Sequence, residues 1–255
     1  VEFADVLPLL AVALAAGWVD AVVGGGGLIQ IPMLMLLVPG VPVAHALGTN
    51  KLAGVAGTSA AAITFVRRTK IDKKLVATAG TLAVVFSGLG AAAASSVPAP
   101  VFRPIVMCLL VGVAAFVAFR PMFGQVSREQ EVSGKRFATV VGLAGVAIAF
   151  YDGVLGPGTG TFLIISFVLV LGMDFVQSSA TAKVVNAGTN LGALAVFAWQ
   201  GHVMWAIGAM MAVANIVGAS LGARTALTQG AKFVRVVLLV VVTALVAKLA
   251  VDQFA

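Results

Sequence analysis

Charge and cysteine are what this sequence has least of. Asp, Glu, Lys and Arg make up 10% of its 255 residues, against about 25% in an ordinary soluble domain. No stretch is long and polar enough to form a separate water-facing domain. The one cysteine, Cys108, excludes an intrachain disulfide and a cysteine-based metal site. With only two histidines, His45 and His202, no metal-ligand cluster and no serine, histidine and carboxylate set emerges. Neither an enzyme nor a cofactor is therefore expected. The formal charge of +7 could point to nucleic acid, but the basic residues gather in short loops between apolar segments. There they report membrane orientation, and nucleic acid is not an expected partner.

Hydrocarbon is what the chain has in excess. Hydrophobic residues are 61% of the total and the mean hydropathy is +1.11, which predicts an all-α polytopic membrane protein in a lipid bilayer. With roughly 20 apolar residues needed per span, the length allows about eight to ten segments. They read as 5–23, a short Leu28–Val38, 43–66, 75–94 and 101–119. A polar linker at 120–136, with Arg120, Arg128, Lys135 and Arg136, ends this series.

After the linker the pattern restarts at a constant offset of 132 residues. Asp20 falls on Asp152, Gly24 on Gly156, Gly26 on Gly158, Thr49 on Thr181, Lys51 on Lys183 and Gly90 on Gly222. Two tandem transmembrane repeats are expected, 1–122 and 137–255, joined by a basic cytoplasmic linker at 123–136. Loop charge sets their relative orientation. The loop 67–74 has five Lys or Arg, while its counterpart 199–206 has none. Conversely, 90–103 has only Arg103, while 222–235 has Arg224, Lys232 and Arg235. Because positive loops stay inside, equivalent loops face opposite sides and the repeats are expected to be inverted. Each would have about five apolar segments, including a broken or re-entrant helix at a glycine-rich loop. Trp199 and Trp205 suit the outer interface.

The breaks themselves are Asp20-Ala21-Val22-Val23-Gly24-Gly25-Gly26-Gly27 and Asp152-Gly153-Val154-Leu155-Gly156-Pro157-Gly158-Thr159-Gly160. Unwound backbone at membrane depth is tolerated only where protein buries it or water reaches it. Matched breaks in two halves therefore point to a transport site. Exposed N–H groups there, followed by the positive end of a short helix, suit an anion. Lys51 and Lys183 are costly in a span, and Ser179, Lys183, Asn186 and Asn190 fall at i, i+4, i+7 and i+11 on one helical face. The partner stripe is Leu47, Lys51, Gly54 and Thr58. Asp20 and Asp152 each end a segment at the negative pole of its dipole, where a carboxylate is disfavoured. A salt bridge to Lys51 or Lys183, protonation, or a bond to the loop amides would offset this. Bracing of the glycine turn and a coupling-ion role remain equally open for them. Gly218–Gly222 and Gly188–Gly192 have the spacing of close helix packing.

Gly24–Gly27 followed by Pro32, the Gly48-Thr49-Asn50-Lys51 run, and Gly156-Pro157-Gly158-Thr159-Gly160 followed by Ala182-Lys183 and Asn186 together resemble the sulfite exporter TauE/SafE family of bacterial membrane transporters. The resemblance covers essentially the whole chain. It implies a secondary transporter in the bacterial inner membrane, moving sulfite, sulfoacetate or another small organosulfonate, with export the expected direction. A separate thiosulfate-uptake family lines its path with cysteines, which Cys108 alone does not match. On this basis Lys51 and Lys183 would neutralise the anion. Gly24, Gly25, Gly26, Gly27, Gly156, Gly158 and Gly160 would supply backbone donors. Thr49, Asn50, Thr58, Thr159, Thr181, Asn186 and Asn190 would complete the hydrogen bonding, with Asp20 and Asp152 as coupling groups. Protons and a second copy of the chain are the candidate further partners. An anion channel and a membrane-embedded anion sensor or accessory subunit are the alternatives.

Overall fold

A computed structural model describes residues 3–94, Gly124 and residues 133–254. The expected segment 101–119, Cys108, Arg103 and most of the linker lie outside the described residues. In chain order the helices are α1 (Phe3–Val23), α2 (Gly26–Leu37), α3 (Val43–Val66), α4 (Lys73–Ala93), α5 (Gly134–Val141), α6 (Ile148–Val154), α7 (Thr159–Leu171), α8 (Phe175–Trp199) and α9 (Trp205–Phe254). A π segment, Gly142–Ala147, joins α5 to α6. Helix α9 is interrupted at Gly230, whose φ of 75° and ψ of −174° lie outside the helical region.

Helix boundaries follow local chemistry. Asp72 caps α4 by accepting from the N–H of Lys74 and Leu75, and Asp174 caps α8 by accepting from Gln177. The helix α5 opens one residue after the Ser133 cap, so the last residues assigned to the linker, 134–136, are already helical. Shifted by 132 residues, α1 falls on α5 to α6, α2 on α7, α3 on α8, and the start of α4 on the start of α9.

Among the described residues, three stretches are long and apolar enough to cross a membrane, Lys73–Ala93, Gly134–Val154 and Trp205–Val241. Helices α3 and α8 have 24 and 25 residues, enough for about 36 Å at 1.5 Å per residue. Their buried polar residues lower the mean hydropathy, which is why composition alone passes over them. The breaks leave α2 and α7 at 12 and 13 residues, each too short to span alone.

Lipid tails are as apolar as leucine, so helix association here relies on close backbone approach. Gly218 and Gly222 of α9 lie against the carbonyls of Leu14 and Trp18 of α1. Gly188 and Gly192 of α8 lie against those of Gly80 and Val84 of α4. Gly90 of α4 meets the Phe150 carbonyl of α6, which repeats the Gly222–Trp18 contact at the same offset in both partners. Outward positions such as Leu7, Leu36, Val213 and Val240 are exposed. The polar faces of α3 and α8 point inward instead.

Candidate functional site

The two breaks meet. Gly24 and Gly156 both turn the chain with positive φ, 84° and 86°, which an L side chain rarely adopts. A Cβ on Gly24 would strike the backbone of Gly160, and one on Gly160 would strike Gly24, so the loops touch main chain to main chain. Helix α1 stops here with free carbonyls, and the other half satisfies them. Thr161 of α7 donates its hydroxyl to Val23 at 2.8 Å, and Ser179 of α8 donates to Val22 at 3.4 Å. Tyr151 braces the second break by donating to the Pro157 carbonyl at 2.6 Å.

The lysines are paired crosswise. Lys51 of α3 donates to Asp152 of α6 at 2.6 Å, and Lys183 of α8 donates to Asp20 of α1 at 2.8 Å. Each pair thus links one half of the sequence to the other. Of the three answers open to Asp20 at the negative end of α1, the geometry shows two together. Its Oδ2 takes the Lys183 ammonium, and its Oδ1 accepts the Gly26 N–H at 3.3 Å. Asp152 is held alike, with Oδ2 on Lys51 and Oδ1 receiving the Thr159 hydroxyl at 2.6 Å. Glycines make room for this. A Cβ on Gly26 would lie 2.7 Å from the Asp20 Cβ, and one on Gly156 would lie 3.1 Å from the Lys51 Nζ.

The carboxylates therefore occupy the positions expected for an anion. Asp20 sits at the positive end of α2 and Asp152 beside the start of α7, each already holding a lysine. Two cations and two carboxylates leave the centre formally neutral. Buried ion pairs of this kind contribute little net stability, yet removing one partner is costly.

A cavity of about 30 Å³ opens on these groups, which is room for roughly two or three waters. From the first half it is lined by Asp20, Gly24, Gly26, Gly27, Gln30, Asn50, Lys51, Gly54 and Thr58. Asp152, Gly156, Thr159, Gly160, Asn186, Asn190 and Asn215 line the second half. Lys183 reaches this centre through Asp20 and is not itself in the lining; Gly25 caps α2 and Gly158 caps α7. Thr49 and Thr181 lie elsewhere. The Thr49 hydroxyl accepts the Met204 N–H at 3.0 Å, and the Thr181 hydroxyl donates to Gln177 within its own helix at 3.0 Å. Each is two residues from a lysine, about 200° around the helix, and so faces away from the stripe.

Gln30, Gly54 and Asn215 were not among the expected site residues. Gly54 stands on the Lys51 stripe, and a Cβ there would lie 3.1 Å from Asn190 Oδ1. Gln30 and Asn215 are lone amides in apolar helices, a signal that buried polar groups in a span are costly and seldom idle. His45 faces His202 with ring centroids 5.1 Å apart. Among the described residues, no group of three or more His, Cys, Asp or Glu side chains gathers that could hold a metal ion.

A helical membrane protein whose buried charges converge where two broken helices meet has the build of a membrane transporter. Comparison with known proteins gives the family. The sulfite exporter TauE/SafE family model matches residues 9–249, and the chain belongs to that family of membrane transporters. It is 36% identical over 245 residues to a probable membrane transporter protein, ORF9, of a Sinorhizobium species, covering 96% of this chain and 92% of that one. It is also 36% identical to the probable membrane transporter protein YfcA of Escherichia coli K12, over 96% of this chain and 89% of that protein. A probable membrane transporter protein of Haemophilus influenzae is 33% identical, with 98% and 96% covered. No solved structure matches the chain.

Proposed function

We propose that the protein is a secondary transporter that moves sulfite or a small organosulfonate across the bacterial inner membrane, in the direction of export. The observation that carries this is the pair of crossed Lys–Asp bridges at touching helix breaks. Sulfur oxyanions enter through the family description, which names sulfite export. A carboxylate and an oxyanion present the same chemistry to a lysine and to a helix N-terminus. A substrate anion can thus replace Asp152 on Lys51 and, in the same cycle, Asp20 on Lys183, and a proton taken up by each displaced aspartate keeps the site neutral. Asp20 and Asp152 are the proposed coupling groups. Thr58, Thr159, Asn186, Asn190 and the glycine-loop backbone are the proposed ligands around the anion.

Alternating access follows if the repeats, 1–122 and 137–255, are inverted and rock against each other. The crossed bridges would then break and re-form between the halves as the site changes sides. The reversed loop charges at 67–74 and 199–206 support a multi-pass arrangement of this kind, and Trp199 and Trp205 are both exposed beside the uncharged loop. Flux of sulfite, sulfoacetate, sulfate and thiosulfate into liposomes holding the purified protein, with and without a proton gradient, tests the proposal. Saturable sulfite flux that responds to the gradient is expected. Flux without saturation or countertransport would favour a channel, and anion binding with zero flux would favour a sensor.

A further inference from the structure

The cavity is not equally polar on its two sides. Gln30 of α2 and Asn50 of α3 have Phe162 and Ala182 as their counterparts 132 residues on, so the second half has no amide at either place. Both side chains line the cavity and are buried, at 2% and 6% exposure. The Gln30 Nε2 donor and the Asn50 Oδ1 acceptor are both without a hydrogen-bond partner. Two other amides of the lining have partners. Asn186 Oδ1 accepts from Thr189 at 2.9 Å, and Asn215 Nδ2 donates to the Ala13 carbonyl at 3.2 Å. A buried donor and a buried acceptor left unmet in one cavity call for a ligand that supplies the complement of each.

We propose that Gln30 and Asn50 select the transported anion, and that they select a small oxyanion carrying one acid proton over an anion of equal charge that carries none. This rests on the transporter assignment above. The Gln30 Nε2 would donate to a deprotonated oxygen, and the Asn50 Oδ1 would accept the remaining O–H. Asn50 and Lys51 line the same cavity, so the acid proton and the cation that holds the charge meet one ligand. Hydrogensulfite has this charge and this proton. Methanesulfonate has the charge and the oxygens, but its methyl group is on sulfur and none of its oxygens carries a proton.

The two roles separate in a competition experiment with the full-length protein in liposomes, at one mildly acidic pH where sulfite is mainly singly protonated. Labelled sulfite uptake is inhibited with unlabelled sulfite or methanesulfonate. In the wild type, methanesulfonate should compete on the order of ten-fold more weakly, because it leaves the Asn50 acceptor unmet. Asn50→Leu is close in shape and opens no space, so it should narrow that ratio to under about three-fold by removing the acceptor itself. Gln30→Leu removes a donor that both anions use and should weaken both by a similar factor with the ratio kept. Gln30→Glu, which preserves packing, should weaken both further by replacing the donor with an acceptor. An unchanged ratio in Asn50→Leu overturns the proposal, as do unchanged affinities in both Gln30 variants. No sulfite uptake by the wild type overturns the transporter assignment itself, whereas wild-type uptake with indifferent variants overturns only this pair.

Discussion

Removing one member of a crossed bridge should cost more than removing both, and by different amounts in the two bridges. Lys51 and Asp152 are 1% and 2% exposed at 2.6 Å separation, so Lys51→Met leaves a buried carboxylate without its cation. Breaking a buried pair in this way costs about 3–5 kcal/mol. At ~2–4 °C per kcal/mol for domains of 150–250 residues, the midpoint of thermal unfolding falls by about 6–20 °C. Asp152→Asn orphans a fully buried ammonium and should cost as much. The double variant Lys51→Met/Asp152→Asn has no unpaired charge, and the asparagine still accepts the Thr159 hydroxyl, so most of the loss should be recovered. In the other bridge Lys183 is 0% exposed while Asp20 is 17% exposed. Lys183→Met leaves a carboxylate that water and the Gly26 N–H still reach, at a cost of about 1–3 kcal/mol. Asp20→Asn strands the buried ammonium and should cost more than Lys183→Met. Thermal melts of the detergent-solubilised proteins measure all five. Single variants within about 2 °C of the wild type, or a double variant as unstable as the sum of its singles, would refute the paired geometry.

Other substitutions test other parts of the site. Gly24→Ala forces a side chain into the Gly160 backbone at positive φ and should abolish folding or transport, whereas Gly27→Ala meets nothing nearer than the Asn50 Nδ2 at 3.5 Å and should fold while transporting more slowly; expression and flux distinguish them. Thr49→Val removes the acceptor of the Met204 N–H and should lower stability by about 1 kcal/mol without changing the KM for sulfite. Asp20→Asn, where it folds, should transport at a rate that ignores an imposed pH gradient, read from flux with the gradient present and collapsed by an ionophore.

Much of the frame was legible in the sequence because it depends on short-range pattern. Apolar run lengths and the glycine breaks placed α1 to α4 to within a few residues, and the 132-residue offset carried α2 and α3 onto α7 and α8. The polar stripes through Lys51 and Lys183 came from helical periodicity, and both lysines are buried. What periodicity could not supply was partner choice. Lys51 and Asp152 are 101 residues apart, and Lys183 and Asp20 are 163 apart, so only the folded arrangement of α1, α3, α6 and α8 decides which lysine takes which aspartate. Thr49 and Thr181 were drawn in by proximity along the chain, although two residues turn a helix by about 200°. Gln30 and Asn215 were overlooked because each stands alone in an apolar helix, with no second polar residue at i+3 or i+4 to mark a face.

The central claim is that the anion takes the place of an aspartate on its lysine, and sulfite flux through the charge-free Lys51→Met/Asp152→Asn protein tests it most directly. That variant keeps the fold and removes one of the two cations, so saturable flux should fall to the level of protein-free liposomes while thermal stability stays near that of the wild type. Undiminished flux and affinity in the same preparation would contradict the account.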